Sequence, residues 1–382
     1  MKPDAQPMKR VVLNGRFLSQ PNTGVQRYAS ETVLALDALL QQSPAFRELD
    51  FVLCVPPAAR PIDLRCIRVQ TAAPLGGHAW EQITLPWFAR GDLLVGFSYS
   101  GPLLKRHQII TVHDATVAAM PACFSRKYRL VHNALLAALA NRVQSIMTVS
   151  EFSAAEIRGR YAIRNRIVIG REGWSHCLAH GDEAAILQRH GLTAGRYLLL
   201  VGSIKPNKNL DVVGRALAAR PALPWTIAVV GAKDARIFND TANMPETLRY
   251  LGFVPDEELG VLYKHAAWFL FPSVYEGFGL PALEAMANHC PVLAARAGSL
   301  QEVCADAAIY FDPHDEKALG ELLESLPARN AERERLLRNA PARLSHYTWA
   351  ANARILLDEI VACVGFREHR RSAQADCVRQ PT

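Results

Sequence analysis

The sequence predicts an α/β protein built from two doubly wound parallel-sheet domains that face each other across a cleft. Three observations carry that expectation. The chain has 382 residues, too many for one core of ordinary size. Short apolar, β-branched runs alternate with longer helical patterns, the mark of parallel βαβ units. The stretch Val274-Tyr-Glu-Gly-Phe-Gly-Leu-Pro-Ala-Leu-Glu-Ala-Met-Ala287 passes from a strand into a helix through glycines, and ligands of doubly wound sheets bind at such carboxyl ends.

In the first half, strands are expected near Val11–Asn14, Phe51–Val55, Cys66–Gln70, Leu93–Gly96, Ile109–Val112, Ile146–Val149 and Ile167–Ile169. A polar helical connector follows, His180-Gly-Asp-Glu-Ala-Ala-Ile-Leu-Gln-Arg-His190. The second half opens with the strand Tyr197–Gly202 and continues with strands near Thr226–Val230, Arg249–Gly252, Trp268–Phe271, Val292–Ala294 and Ile309–Phe311. Thr348–Val364 reads as an amphipathic last helix. The expected organisation is a first domain over 1–178, a linker over 179–195, a second domain over 196–346, a helix over 347–366 that packs back on the first domain, and a flexible tail over 367–382.

Half the residues are hydrophobic and 21% are charged, a globular composition. No run of eighteen apolar residues is long enough to span a bilayer. The first ten residues lack the apolar core of a signal peptide. The 8 cysteines form no C-x-x-C pair and read as free thiols in a reducing cytoplasm. The net charge of +7 suits acidic ligands or an anionic membrane surface, and a solvated basic face accounts for it equally well. The same two readings apply to the basic aromatic segments Phe124-Ser-Arg-Lys-Tyr-Arg129 and Phe366-Arg-Glu-His-Arg-Arg371. No nucleic-acid module is present, nor a dinucleotide G-x-G-x-x-G after either first strand, nor a P-loop.

Two loops carry the chemistry. In the glutamate turn, Pro281 is placed as the first helical residue, and Gly277 and Gly279 remove side chains where backbone must come close to a ligand. The helix N-terminus offers free N–H groups and a positive dipole end to a phosphate. Glu276 stands on the lip and Glu284 in the first turns, so a carboxylate reaches each side of a bound diphosphate. The other loop, Val201-Gly-Ser-Ile-Lys-Pro-Asn-Lys-Asn-Leu210, leaves a strand through a glycine and puts Lys208 before a helix. A cation there neutralises a developing diphosphate leaving group, although a loop lysine is more often simply solvated.

The order and spacing of these loops, with Leu251-Gly-Phe-Val-Pro-Asp-Glu-Glu-Leu259 between them, resemble the retaining nucleotide-sugar glycosyltransferases of the GT-B fold, specifically glycosyltransferase family 4, over essentially the full chain. The resemblance implies that Lys208 binds phosphate, that Glu276 holds donor-sugar hydroxyls and that Glu284 holds the ribose. It further implies that the backbone of Gly277, Phe278, Gly279 and Leu280 receives sugar or phosphate oxygens, and that Val254 lies in the segment that contacts the base. Many relatives have arginine where this chain has Ser203, so a second positive charge is expected from Lys205. In the first half, Gly24 resembles the glycine whose bare backbone admits acceptor and diphosphate, Arg27 follows on the next helix, and His113 resembles the histidine that contacts the donor sugar. A strand-end histidine satisfied by its own surroundings is the plainer reading of His113. Ser150 is expected to cap a helix; Arg171-Glu-Gly-Trp174 resembles the loop before the linker and is given no catalytic role.

The chain contains no Asp-x-Asp triplet, so neither a metal nor an organic cofactor is expected. The resemblance implies transfer of a hexose with retention of configuration from a nucleotide sugar to a saccharide acceptor, lipid-linked, in assembly of a surface polysaccharide or lipopolysaccharide. The opening around Asn14–Tyr28 looks mannosyltransferase-like, which makes GDP-mannose the first choice of donor. The enzyme would be cytoplasmic, with peripheral contact at an anionic membrane and no nucleic-acid partner. The alternatives are a GT-B phosphorylase, a nucleotide-sugar epimerase, and a non-catalytic nucleotide-sugar-binding partner.

Overall fold

A computed structural model describes residues 9–365, except 44, 45, 47, 204, 221, 222 and 232–247. The expected N-terminal segment over 1–8, the basic segment Phe366–Arg371 and the tail over 367–382 lie outside the described residues. The strands are β1 (Lys9–Asn14), β2 (Leu49–Val55), β3 (Arg68–Thr71), β4 (Leu93–Gly96), β5 (Gln108–Thr111), β6 (Ser145–Thr148) and β7 (Ile167–Ile169) in the first half. The second half has β8 (Tyr197–Val201), β9 (Thr226–Val230), β10 (Leu248–Gly252), β11 (Trp268–Phe271), β12 (Val292–Ala295) and β13 (Ala308–Phe311). They form a seven-stranded sheet of order β3-β2-β1-β4-β5-β6-β7 and a six-stranded sheet of order β10-β9-β8-β11-β12-β13. Every pairing is parallel, with Val12 opposite Val52 and Leu94, and Leu199 opposite Ala228 and Phe269.

These strands form where they do because both sheet faces are covered. Trp268-Phe-Leu-Phe271 and most of Tyr197-Leu-Leu-Leu-Val201 are buried, the continuous apolar run expected of a parallel sheet clad in helices. Tyr197, Tyr263 and Phe269 are among the largest fully buried side chains of the second half, and Trp80 and Tyr28 of the first. Each sheet reverses its winding once, between β1 and β4 and between β8 and β11. At these switch points adjacent loops diverge at the carboxyl ends of the strands and leave a crevice.

The last helix, Trp349–Val364, begins at a Thr348 side chain that accepts from the Ala351 N–H and ends at Gly365 in the left-handed conformation. It lies against the helix Gly24–Gln42 of the first half, where the Asn352 side-chain amide donates to Thr32 Oγ1 at 2.8 Å. Lys9 Nζ donates to the Val364 carbonyl at 2.7 Å and Gln144 to the Cys363 carbonyl at 3.0 Å. The chain therefore returns to its first half after completing its second.

The described cysteines are free thiols, and Cys54, Cys177, Cys290 and Cys304 are buried. Burial pushes the Cys54 and Cys304 thiols up to about 12, so they are inert packing groups. Among the described residues no helix is long and apolar enough to cross a membrane.

Candidate active site

The lysine loop and the glutamate turn leave β8 and β11, neighbours at the switch point of the second sheet, and the residues between them stitch the two loops together. The Val274 N–H donates to the Asn207 carbonyl at 2.9 Å, and the Asn207 side-chain amide donates to the Tyr275 carbonyl at 3.4 Å. Lys208 Nζ then meets Glu276 Oε1 at 2.5 Å, with side chains only 20% and 14% exposed. Gly202, at φ +146°, makes room for that lysine: a Cβ there would sit 3.0 Å from Lys208 Cε. Asn207, which ties the whole arrangement, carried no signal of its own in the sequence.

The helix Leu280–Ala287 starts from Gly279, which has φ +112° and whose added Cβ would strike Leu300 Cδ2 at 2.7 Å. Pro281 is thus the second helical residue, not the first, because Gly279 is the cap and Leu280 opens the helix. No side chain caps this end, and among the described residues nothing accepts from the backbone N–H of Phe278, Gly279 or Leu280. That leaves a donor-rich terminus beside Lys208. The Phe278 ring itself is buried against Tyr347, with centroids 5.5 Å apart, and Leu280 is also buried, so only their backbone is available.

Glu284 is buried on the helix face turned toward the first half. His176 Nε2 lies 2.9 Å from its Oε1, and Tyr263 donates its hydroxyl to Oε2 at 2.9 Å. Burial, the strongest influence, pushes this carboxyl up, and it is outweighed by the hydrogen bonds and charge of His176 and the Tyr263 hydroxyl, so the pKa ends below the ordinary carboxylate value. Two acceptor positions remain on such a carboxylate for a ligand. His176 and Tyr263 were both missed in the sequence, since they stand 108 and 21 residues from the group they hold.

The glutamate turn also seals against the first half. Gly277 is a glycine chiefly for this reason: a Cβ there would meet Asp114 Cβ and the His113 carbonyl, each at 2.8 Å. The seam thus gives this position a reason to be glycine besides the expected approach of its backbone to a ligand. Ser150, which does cap the helix Glu151–Tyr161, and Ser153 both donate to the Gly277 carbonyl, at 2.5 and 2.8 Å. Glu302 accepts from the Glu151 and Phe152 N–H groups at 3.1 and 3.2 Å, so a carboxylate of the second half caps a helix of the first. Tyr275 donates to Glu156 Oε2 at 3.2 Å and accepts from the Ala115 N–H at 3.3 Å.

The other sequence candidates fall as follows. His113 follows β5 and is buried in the wall facing the turn, its Nε2 3.1 Å from the Phe97 carbonyl and its Nδ1 3.7 Å from Glu172 Oε1. Glu172 belongs to the loop that was given no role. Gly24 opens the first long helix with nothing within 4 Å of an added Cβ, so the space beside it is free. Arg27 pairs with Asp256 across the cleft at 2.5 Å and is therefore committed to joining the halves instead of standing open for a diphosphate. Lys205 is exposed and its Nζ lies 5.9 Å over the Phe124 ring of the first half. Val254 is buried in the core, which leaves only its backbone for a base, while Phe253 beside it is exposed. Among the described residues no group of three His, Cys, Asp or Glu side chains is placed to hold a metal ion.

Residues 182–343 match the family of glycosyl transferases group 1. That segment is similar to a domain of this group, and the two parallel sheets have the GT-B architecture. It is 28% identical over 371 residues to the O-antigen chain mannosyltransferase B of Escherichia coli, covering 89% of this chain and 96% of that one. Its fold matches the sucrose-phosphate synthase of Thermosynechococcus elongatus with TM-score 0.71 at 18% identity, over 94% of this chain and 100% of the other. It matches Anabaena HepE, solved with UDP and glucose, with TM-score 0.67 at 16% identity, over 93% and 100%. The lysine loop and glutamate turn thus meet the His113 wall where Gly277 approaches Asp114 and the His113 carbonyl.

Proposed function

We propose that this glycosyltransferase transfers a hexose, with mannose from GDP-mannose as the first choice, from a nucleotide sugar to a saccharide acceptor with retention of configuration. The observation that carries the reading is the Lys208–Glu276 pair beside an uncapped helix N-terminus, with Glu284 held as a carboxylate further along the same helix. Lys208 and the amides of Phe278, Gly279 and Leu280 suit the diphosphate, Glu276 the sugar hydroxyls and Glu284 the ribose. Donor binding exchanges the Lys208–Glu276 contact for contacts of each group with the substrate. The C1–oxygen bond then breaks with its electron pair leaving on the diphosphate, whose charge Lys208 and the amides stabilise. The acceptor hydroxyl enters from the same face, and the leaving phosphate takes its proton. Glu276 positions the sugar and is not a glycosidase-type nucleophile. The seal around Gly277 keeps water from the crevice.

The likeness to an O-antigen mannosyltransferase supports a lipid-linked acceptor in surface polysaccharide assembly. Contact with an anionic bilayer is part of the same reading. On the helix Arg126–Ala140, Leu130 is 74% exposed, Tyr128 and Val131 are half exposed, and Arg126 and Lys127 are exposed beside them.

The test is an NMR time course of the purified protein with a panel of GDP- and UDP-sugars and a lipid-linked oligosaccharide. The reading predicts one donor consumed, a nucleoside diphosphate released and the donor's anomeric configuration kept in the product. An inverted product, or sugar phosphate formed without nucleotide, would overturn it.

A further inference from the structure

Glu172 is a buried carboxylate, its side chain 9% exposed, that makes no hydrogen bond among the described residues. Its ion-pair contact there is His113, whose Nδ1 lies 3.7 Å from Glu172 Oε1, too long for a formed hydrogen bond. A carboxylate withdrawn from water without a formed hydrogen bond is costly, so its placement needs a cause.

The backbone supplies that cause. Gly170 and Gly173 flank the residue on either side. A Cβ at Gly170 would overlap Asn352 Oδ1 at 2.3 Å and Met147 Cε at 2.8 Å. One at Gly173 would lie 2.4 Å from the Trp349 nitrogen and 2.7 Å from Trp349 Cγ. The loop therefore lies flush against the first turn of the last helix on both sides of Glu172. Trp174 pins its far end by donating Nε1 to the Leu344 carbonyl at 3.0 Å. Held this way, the carboxylate is delivered to the His113 ring.

The ring is enclosed on its other sides. Tyr28 meets it edge-on with centroids 4.7 Å apart, and Tyr99 lies tilted at 5.4 Å. Its Nε2 faces the Phe97 carbonyl, which can only accept, so the hydrogen-bond network places a proton on Nε2. What stands at Nδ1 then decides how the ring is held. Among the described residues, the group facing that nitrogen in a polar contact is Glu172.

We infer that Glu172 is a positioning residue for His113: its carboxylate fixes the orientation of the imidazole, and through it the seat of the donor sugar. This rests on the proposed role of His113 in transfer. Glu172 itself touches no reacting atom and acts through the ring alone.

A double-mutant cycle with two further readouts tests it. Glu172→Ala should lower kcat for sugar transfer about 10- to 100-fold while nucleoside diphosphate Kd stays within about threefold, because Lys208, Glu276 and Glu284 are untouched. Glu172→Asp should recover part of the loss, since it keeps the charge. In a His113→Ala background Glu172→Ala should cost almost nothing more. Additive losses, or a wild-type kcat in Glu172→Ala, would overturn the inference. The third readout needs no turnover and so separates this inference from failure of the proposed reaction. Ring ¹⁵N shifts of His113, assigned by their absence in His113→Gln, should change in Glu172→Gln. Unchanged ring shifts would equally overturn it.

Discussion

Replacing Gly277 by alanine adds one methyl group at a seam between the two halves. The new Cβ would stand 2.8 Å from Asp114 Cβ and from the His113 carbonyl, short of ordinary carbon contact by about 0.7 Å. Both neighbours belong to the wall of the other half, at the end of β5, and cannot rotate away as a flexible side chain would. Gly277 does not have a positive φ, so the substitution strains the seam without straining its own backbone. Overpacking of this kind costs roughly 1–3 kcal/mol. The Ser150 and Ser153 hydroxyls also lose their hold on the Gly277 carbonyl, at about 1 kcal/mol for each bond that breaks. Partial relaxation brings the sum to roughly 2–4 kcal/mol, borne by the closed arrangement and not by either core. If transfer requires closure, kcat/KM falls roughly 30- to 1,000-fold. Steady-state kinetics and calorimetry on Gly277→Ala, beside the double variant Ser150→Ala/Ser153→Ala, read this out. The double variant should lose activity in the same direction by a smaller factor, with little change in Tm for either. A Gly277→Ala enzyme within threefold of wild type, or one whose Tm collapses, would refute the reasoning.

Four other outcomes follow from the structure. Lys208→Ala removes the cation beside the uncapped helix N-terminus, and titration calorimetry should show nucleoside diphosphate affinity weakened about 10- to 100-fold. Because Lys208 and the backbone amides are the diphosphate's partners in this account, transfer should survive a chelator, and an assay with and without EDTA checks this directly. Away from the cleft, Glu81 is wholly buried. Burial pushes its carboxyl up, but hydrogen bonds and charge from His78, Arg16, Ser100 and Asn14 outweigh this and leave its pKa lowered. Its folded value lies below its unfolded value, so its contribution is present above about pH 4.3 and is lost as the pH falls through the folded value. The Tm difference between wild type and Glu81→Gln should therefore narrow below pH 4.3, and Arg16→Ala at neutral pH should cost about 3–5 kcal/mol in denaturant unfolding.

The fold was legible because parallel strands clad on both faces write themselves as unbroken apolar runs. Trp268–Phe271 and Tyr197–Val201 could hardly be anything else, and the strands fall within a residue or two of where the pattern placed them. The edge strand β3 shows the limit. It is Arg68–Thr71 instead of Cys66–Gln70 and is mostly exposed, so no burial pattern marks its ends. The chemistry-bearing loops were legible for a similar reason, since Lys208, Glu276 and Glu284 sit in short motifs with local turn logic. Contacts that depend on how the two sheets face each other left no local trace. His113 and Glu172 are 59 residues apart, His176 and Glu284 108, Ser150 and Gly277 127, and Arg27 and Asp256 229. The seam contacts of Gly277, the Arg27–Asp256 pair and the Glu172–His113 pair therefore emerge only when the halves are placed together.

The central claim is that Lys208, Glu276 and Glu284 form one seat for a nucleotide sugar. Titration calorimetry of GDP-mannose, GDP-fucose, UDP-glucose, UDP-galactose and UDP-N-acetylglucosamine into wild type, Lys208→Ala and Glu284→Gln tests it directly. The account predicts saturable binding of one donor to wild type, weakened at least tenfold in each variant. Binding that is unchanged in both variants, or no binding of any sugar nucleotide, would contradict it.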